Sequence, residues 1–534
     1  MDVNVGLLLL LLLPVLLVGY LRWRRGPAAA ASANHCPHPN RILGNTVPFL
    51  LNLHRFLDWA TDLLAASPAS TIEVRGALGV GSGVATASPE VVDHFLRGNF
   101  PNYVKGARFA VPFADLLGSG MFLADGRLWS LQRKLASYSF SSRSLRRFSG
   151  RVLWAHLRGR LLPFLDAAAG SGEAVVDLQD VLKRFAFDNI CGVAFGVECS
   201  TLLELEAGGG QRQHEAFFAA FDDAVEITFA RILHPTTLVW RAMRLANVGS
   251  ERRMREAVRV IDEYVMGMVE AAEQLRARGA EEHLLSRFAA AMDEEAALGG
   301  ELGEMFGSPD AKRRFLRDVV VSFVLAGKDT TSSALTWFFW LLAANPRCER
   351  RVHEEVTRCS DDDGGYHEEL KGMHYLHAAI TEAMRLYPPV PINSRVAAAD
   401  DVLPDGTTVR AGWFADYSAY AMGRMPRLWG PRCREFLPER WLDVDQGEFV
   451  AADAARYPVF HGGPRACLGK EMAYVQMKAV AAAVIRRFRV EPVRAPASMG
   501  APPPYEMAVT LRMKGGLRVR IRRREEHDSR RKCS

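Results

Sequence analysis

Eight cysteines are scattered through the chain, and one stands in a setting the others lack. In YPVFHGGPRACLGKEMAYV, residues 457–475, Cys467 follows two glycines, a proline and an arginine. Leu468, Met472, Val475, Ala479 and Ala483 then recur at helical spacing, which predicts a helix opened by Cys467. At a helix N-terminus the free N–H groups and the dipole favour an ionised thiol. Gly462 and Gly463 permit a bend that residues with a Cβ resist. Gly469 lets a flat body approach the first turn, and Arg465 can pair with an acidic group on that body. The four features together describe a metal-ligating thiolate beside a flat, dianionic, iron-bearing ligand.

Haem meets that description. A second constellation is AGKDTT, Ala326–Thr331. It lies in an apolar run of about 31 residues, about 45 Å long as a helix and closed by Asn345-Pro346. Lys328 and Asp329 at its centre mark a buried core helix rather than a membrane span. A helical threonine bonds the carbonyl four residues back, here Thr330 to Ala326, and Gly327 weakens the ladder beside it. A local opening is predicted, where Asp329 and Thr330 can relay the protons that oxygen activation consumes. Glu382 and Arg385 share a helix face with Leu376, Ile380, Ala383 and Leu386 nearby, so a buried pair is expected. Such a pair needs a further partner, and Arg440 in FLPERW offers one. Trp129 and Arg133, four apart, put a ring and a cation on one helix face.

Phe460, Gly463, Arg465, Cys467 and Gly469 match F-x-x-G-x-R-x-C-x-G, and on these residues the chain resembles the cytochrome P-450 superfamily. AGKDTT resembles that family's A-G-x-D/E-T-T segment. Glu382, Arg385 and Arg440 resemble its E-x-x-R plus P-E-R-F triad, with Trp441 in the last place, and Trp129 with Arg133 its W-x-x-x-R. The resemblance implies a mostly α fold with a small β part and a single large domain. It implies haem b ligated by Cys467, propionates held by Trp129, Arg133 and Arg395, and a structural triad that fixes the cysteine loop. It also implies insertion of one oxygen atom of O2 into a C–H bond, with electrons from NADPH through a membrane reductase. Arg133, Lys134, Arg143, Arg146, Arg147 and Lys470 are expected to face that reductase.

Nearly the whole chain is similar to the plant fatty-acid ω-hydroxylases and their jasmonoyl-isoleucine-oxidising relatives. The similar stretches are LLGSGMFLADGRLWSLQRKLAS, SFVLAGKDTTSSALTWFFWLL, YPPVPINSR and VTLRMKGGL. A lipid-like carboxylate is the implied substrate, with ω or near-ω hydroxylation of a fatty acid first and oxidation of jasmonoyl-isoleucine as the alternative. Lys105 and Arg108 are candidates for a cation at the channel mouth, and residues 109–113 stand where relatives vary most. Two more readings stand beside these. One is a haem-thiolate isomerase or dehydratase that does not use O2, whose members tend to lose the acid–alcohol pair present here. The other is a tethered haem binder without turnover, against which a complete relay beside a complete ligand loop argues.

The elements that must position these residues are legible more coarsely. Of 534 residues, 49% are hydrophobic and 24% charged, the balance of a globular protein with a large core. A net charge of +6 suits an acidic partner or anionic lipid and is too weak to indicate nucleic acid. The cysteines form no C-x-x-C pair, so zinc and redox-dithiol readings find no support, and a reducing, cytosol-facing compartment is expected. Val5–Leu21 is uncharged over 17 residues and is followed by RWRR. It reaches the short end of membrane-spanning length, with the basic flank on the cytosolic side. No basic n-region precedes it, and arginines separate it from AAAASA, both unlike a cleaved signal. The expected organisation is an anchor at 1–25, a linker at 26–40, a monooxygenase domain at 41–524 and a polar tail at 525–534, at the endoplasmic reticulum membrane with the domain in the cytosol. CPHPN stands where a Pro-Pro-Gly-Pro hinge is usual. Ser70–Ser88 reads as two strands around a glycine turn. Helical patterning dominates to about residue 395, with solvated breaks at 206–211, 298–304 and 360–367. GLRVRIRRR alternates as a final strand.

Overall fold

The computed structural model describes residues 42–77, 81–141, 143–206, 212–233, 237–279, 283–297, 308–358, 366–494 and 503–524, with Cys36, Pro39 and Asn40. The expected anchor, most of the linker, the polar tail and nearly all of the three breaks lie outside the described residues. Among the described residues no helix is long and apolar enough to cross a membrane.

The helices that build the core are α1 Phe56–Ala66, α2 Gly106–Leu117, α3 Gly126–Ser141, α4 Arg143–His156, α5 Leu178–Ile190, α6 Arg212–Leu233, α7 Gly249–Ala277, α8 Pro309–Val324, α9 Thr330–Ala343, α10 His374–Leu386 and α11 Lys470–Arg487. Their ends follow local chemistry. Asp177 caps α5 by accepting from Gln179 N, and Ser308 caps α8 by accepting from Ala311 N, with Pro309 next in line. Pro346 stops α9, since the residue before a proline is pushed out of the helical region.

The strands are β1 Thr71–Val74, β2 Gly83–Thr86, β3 Tyr103–Val104, β4 Val175–Asp177, β5 Asn393–Ala397, β6 Asp401–Val402, β7 Thr408–Val409, β8 Phe414–Tyr417, β9 Phe488–Pro492, β10 Tyr505–Met507, β11 Leu511–Met513 and β12 Arg518–Arg523. The largest sheet has five strands in the order β1-β2-β8-β5-β3. Its β2–β8 pairing is parallel and the rest antiparallel. It sets Arg395 of β5 opposite Ala415. A second sheet places β12 between β4 and β9. Leu517, Val519 and Ile521 are buried there, as the alternation predicts.

Two apolar cores share one long rod. Trp337, Leu376 and Val480 belong to the core of α9, α10 and α11. Phe187, Phe217, Ile261 and Val320 belong to that of α5 to α8. The rod is α8 and α9, joined by a π-helical turn at Leu325–Asp329. At Gly327 a Cβ would fall 2.7 Å from Ile190 Cγ1, so α5 crosses the widened turn at a distance only glycine allows. Trp337 stacks on Tyr387 at 3.9 Å and donates its indole N–H to Leu511 O at 3.0 Å, which pins β11 to the rod.

Candidate active site

The cysteine loop is closed by Cys467 N donating to Phe460 O at 2.8 Å. Gly463 has φ +60 and a Cβ there would meet Leu96 O at 2.0 Å, so the residue must be glycine. Gly462 is extended, and the second unusual bend falls instead on His461, at φ 58. Helix α11 begins at Lys470 with Gly469 at its N-cap, three residues later than the apolar spacing predicts. Cys467 therefore sits in the turn before the helix, where the Gly469 N–H points at the sulfur.

Cys467 is the one exposed thiol among the six described cysteines. Its exposure is internal. Surrounding protein desolvates the thiol and pushes its pKa up, while the Gly469 N–H, Arg133 and Lys470 pull the other way. A sulfur that is both accessible and desolvated lines a recess. At Gly469 the nearest atoms to an added Cβ, Cys467 Sγ and Phe140 Cε1, are 4.0 Å away, so the recess is open beside the sulfur. Phe140, at the end of α3, also meets Phe323 of α8 edge-on at 6.1 Å between ring centroids. One aromatic side chain thus joins the cysteine loop to the rod.

Around the recess the chain gathers cations. Arg133 Nη2 donates to Ala466 O within the cysteine loop. Arg465 Nη2 reaches Asp125 Oδ1 at 2.6 Å and Ala124 O at 2.9 Å, with its guanidinium 4.5 Å above the Trp129 ring. Its Nε has no partner. Arg395 is 2% exposed, and its Nε and Nη1 have no partner either. Lys105 faces Arg395 and Arg465. Burial and those two charges push its pKa well below the ordinary lysine value. Arg108, the other expected substrate cation, lies over the Phe414 ring at 4.2 Å and beside Asp416.

His461 was not anticipated. Its Nδ1 lies 2.6 Å from Tyr417 Oη. Burial, then Arg395, Lys105, Arg133 and Arg465, push its pKa down to about 3. Among the described residues only Asp125 is hydrogen-bonded to a carboxylate-seeking side chain of this group. Unpartnered guanidinium N–H groups in a buried setting are costly. A flat ligand carrying two carboxylates would satisfy them, and its metal would meet Cys467. Haem fits the residues present.

On the rod, Thr330 Oγ1 donates to Ala326 O at 2.5 Å, and the ladder opens at the π turn, as the sequence predicts. Asp329 is buried, and Lys328 Nζ lies 2.5 Å from its Oδ1.

The third constellation is complete. Arg385 donates from Nε and Nη2 to Glu382 at 2.7 and 2.8 Å. Arg440 Nε and Leu437 N reach the same carboxylate at 3.0 and 2.9 Å. Trp441 Nε1 adds a bond of 2.8 Å, which the pattern did not reveal. Arg385 also donates to Cys433 O at 2.6 Å and to Gly423 O, tying α10 to the segment leading to the cysteine loop.

A family model for cytochrome P450 matches residues 81–514. Cytochrome P450 CYP94D108 of Paris polyphylla is 42% identical over 490 residues, 90% of each chain. Cytochrome P450 94A1 of Vicia sativa is 38% identical over 495 residues, covering 92% of this chain and 91% of that one. Cytochrome P450 94B3 of Arabidopsis thaliana is 42% identical over 491 residues, 90% and 91%. With a matching family model over most of its length and relatives about 40% identical over nine-tenths of it, this chain belongs to the cytochrome P450 family and is a monooxygenase.

Proposed function

We propose that the chain hydroxylates a lipid-like carboxylate, with a fatty acid oxidised at or near its ω end as the leading case. Haem, held through the Cys467 sulfur, would supply the redox chemistry that activates O2. The chain's own residues do the rest. Arg133, Arg395, Arg465 and Trp129 hold the propionates, and Lys105 and His461 join them on the strength of their position. Phe460, Gly463 and Gly469 shape the loop. Asp329 accepts and returns protons beside the Thr330 hydroxyl. Glu382, Arg385 and Arg440 keep the loop in place. Arg108, which lies over Phe414 and shares the Asp416 carboxylate with Lys105, is the residue assigned to the substrate carboxylate.

The observation that carries this reading is Arg395, a buried guanidinium with two unpartnered nitrogens, whose charge acts on His461 together with that of Arg133, the arginine beside the accessible Cys467 thiol. Replacing Cys467 by serine should abolish both the carbon monoxide difference band of a thiolate-ligated haem and product formation. A retained band would overturn it. Incubating microsomes with medium- and long-chain fatty acids and with jasmonoyl-isoleucine, then locating the hydroxyl by mass spectrometry, decides between the two substrates. Product formed without NADPH and O2 would favour isomerase chemistry.

Electrons are proposed to come from NADPH through a reductase in the endoplasmic reticulum membrane, where residues 1–25 anchor the chain with its domain in the cytosol. Lys134, Arg143, Arg146, Arg147 and Lys470 are exposed, which supports them as the docking face, whereas Arg133 is turned inward to Ala466. Reversing the charges of Lys134 and Arg147 should slow reductase-dependent turnover. Unchanged turnover would remove this face from consideration.

A further inference from the structure

Two buried thiols meet where α5 ends. The helix runs out into a π-helical turn at Cys191–Phe195, and Gly196, at φ +70, bends the chain back. A Cβ at Gly196 would fall 2.8 Å from His283 Cδ2, so the bend requires glycine. Val197 N then donates to Cys191 O at 3.2 Å, which closes the loop and returns Cys199 toward Cys191. The return is fixed on both sides of its end. Arg160 donates to Cys199 O, and Asp188 of α5 accepts from Thr201 N at 3.1 Å and from Thr201 Oγ1 at 2.8 Å. The two thiols are free, buried and hydrogen-bonded to one another. Their spacing matches no motif, and the fold alone pairs them.

Cys199 has the surroundings of a nucleophile rather than of a packing thiol. Its sulfur lies 3.8 Å from Tyr264 Oη of α7 and hydrogen-bonds to His214 of α6. His214 Nδ1 in turn lies 2.9 Å from Glu204 Oε2. A thiol, an imidazole and a carboxylate in that order activate a sulfur nucleophile. The Cys191 thiol, then His214 and Tyr264, outweigh burial and pull the Cys199 pKa down, while burial and Cys199 push that of Cys191 up. The bond to Cys199, then Glu204, bring His214 up to about 9 against burial. Asp188, the other acid facing the pair, is pushed up to about 7 by burial, with Arg160 at 3.2 Å from it. Cys199 is 2% exposed, but the His214 and Glu204 side chains are each 14% exposed. The imidazole that touches the sulfur therefore touches solvent as well.

One residue away lies a close contact with the rod. Ile190, next to Cys191, has its Cγ1 2.7 Å from where a Cβ would stand on Gly327 in the π turn. Packing this tight leaves no slack, so drawing Cys191 toward Cys199 moves Ile190 against that turn.

We propose that Cys191 and Cys199 are a redox modification site, at which a peroxide converts the pair to a disulfide and so lowers turnover through Ile190. The Cys199 thiolate attacks one oxygen of hydrogen peroxide. An S–O bond forms, the O–O bond breaks, and the leaving hydroxide takes the His214 proton. The Cys191 thiol then attacks the sulfenic sulfur. The S–S bond forms, the S–O bond breaks, and the departing hydroxide takes the Cys191 proton. Two thiols lose two electrons, and the peroxide leaves as two waters. A dithiol reductant reverses the change by exchange. In a reducing compartment the pair rests as thiols and responds to bursts of oxidant. The site is independent of the substrate reading, since any measured turnover reports on it.

The test treats the reduced, haem-loaded full chain with a low excess of hydrogen peroxide, blocks free thiols under denaturing conditions, and maps peptides by mass spectrometry. The expected product is a Cys191–Cys199 bridge, with Cys36, Cys348 and Cys433 still open to blocking, and dithiothreitol should reverse it. Turnover per haem that retains its carbon monoxide band should fall several-fold in the bridged form and recover with the thiols. Cys191→Ser should stop at a sulfenic acid on Cys199, trapped by dimedone, and Cys199→Ser should leave Cys191 unmodified. His214→Gln should slow the oxidation on the order of tenfold as the thiolate fraction drops. Ile190→Ala should form the bridge and keep the turnover of its own reduced form. The mapping on the parent needs no variant to fold, and absence of the bridge at doses that oxidise Cys36 or Cys433 would overturn the site. A sulfenic acid on Cys191 in Cys199→Ser, or an unchanged rate in His214→Gln, would overturn the role given to Cys199. A bridge without loss of turnover, or a loss that Ile190→Ala retains, would overturn the route through Ile190.

Discussion

Two clusters of charge, one around Glu382 and one around Arg395, are built on opposite principles. Around Glu382 every strong polar group is answered by the chain itself. The carboxylate receives Arg385, Arg440, Leu437 N and Trp441, and the remaining arginine hydrogens go to backbone carbonyls. Around Arg395 the chain answers its cations only in part, leaving two free nitrogens on Arg395, one on Arg465, and a histidine driven down to about 3. The first cluster is finished by folding. The second is finished only by a ligand, and its surplus of positive charge is the record of what that ligand must carry. The difference teaches that buried charge by itself does not identify a binding site; imbalance does.

The largest effect expected from this contrast is at Glu382. Glu382→Ala strands the buried Arg385 guanidinium and removes the carboxylate from half-buried Arg440, and should cost about 3–5 kcal/mol, with little soluble protein and no haem bound. A soluble variant with a parent-like denaturation midpoint would break the contrast at its firmer half. The pH response comes next. In the haem-free protein His461 has a folded pKa near 3 against an ordinary 6.5. Between those values the unfolded chain binds a proton that the folded chain does not, so stability falls as the pH falls. The slope contributed is at most about 1.4 kcal/mol per unit. His461→Phe should flatten it in urea titrations, and bound haem, whose carboxylates answer the cations, should flatten it too. An unchanged slope would mean that the imidazole does not feel the cluster.

Arg395→Leu sharpens the comparison because its two effects have opposite signs. Without haem it removes an unsatisfied buried cation and should stabilise the protein by about 1–3 kcal/mol. With haem it removes a charge-assisted bond, so haem should transfer to an acceptor protein on the order of tenfold faster. Destabilisation of the haem-free form would show that the guanidinium is satisfied after all. The smallest effect is at Trp441→Phe. Glu382 keeps its other donors, and the loss should be about 1–2 kcal/mol with haem binding retained. Thermal melts of both forms would measure it.

The cysteine loop was legible because its requirements are contiguous: a glycine where only φ +60 and a close carbonyl allow one, and a sulfur just ahead of a helix. Its helix starts later than the apolar spacing implied, since periodicity marks a face and not the first closed turn. The Thr330 back-bond and the Glu382–Arg385 pair were legible for a similar reason, four and three residues being one helical turn. Arg440 was found through the likeness of FLPERW to P-E-R-F, and the Trp441 bond to Glu382 was not, because a tryptophan that replaces phenylalanine shows no sign of where its N–H will point. Lys105 was read as a cation at a channel mouth, and its place beside Arg395 and Arg465 depends on the packing of α2 against β5, which no local pattern encodes.

What the sequence determined by itself is the set of short-range rules. These are turns that need glycine, helices whose i to i+4 partners are fixed, a strand that alternates, and motifs whose members lie within ten residues. Those depend on sterics and hydrogen bonds between near neighbours, so they survive without a fold. Tertiary structure alone decided which charges are paired and which are left waiting. Cys199, Tyr264, His214 and Glu204 become one assembly, and Arg395 becomes an orphan, only when distant segments meet. An ion's pairing and desolvation depend on everything within a few ångströms of it in space, not along the chain.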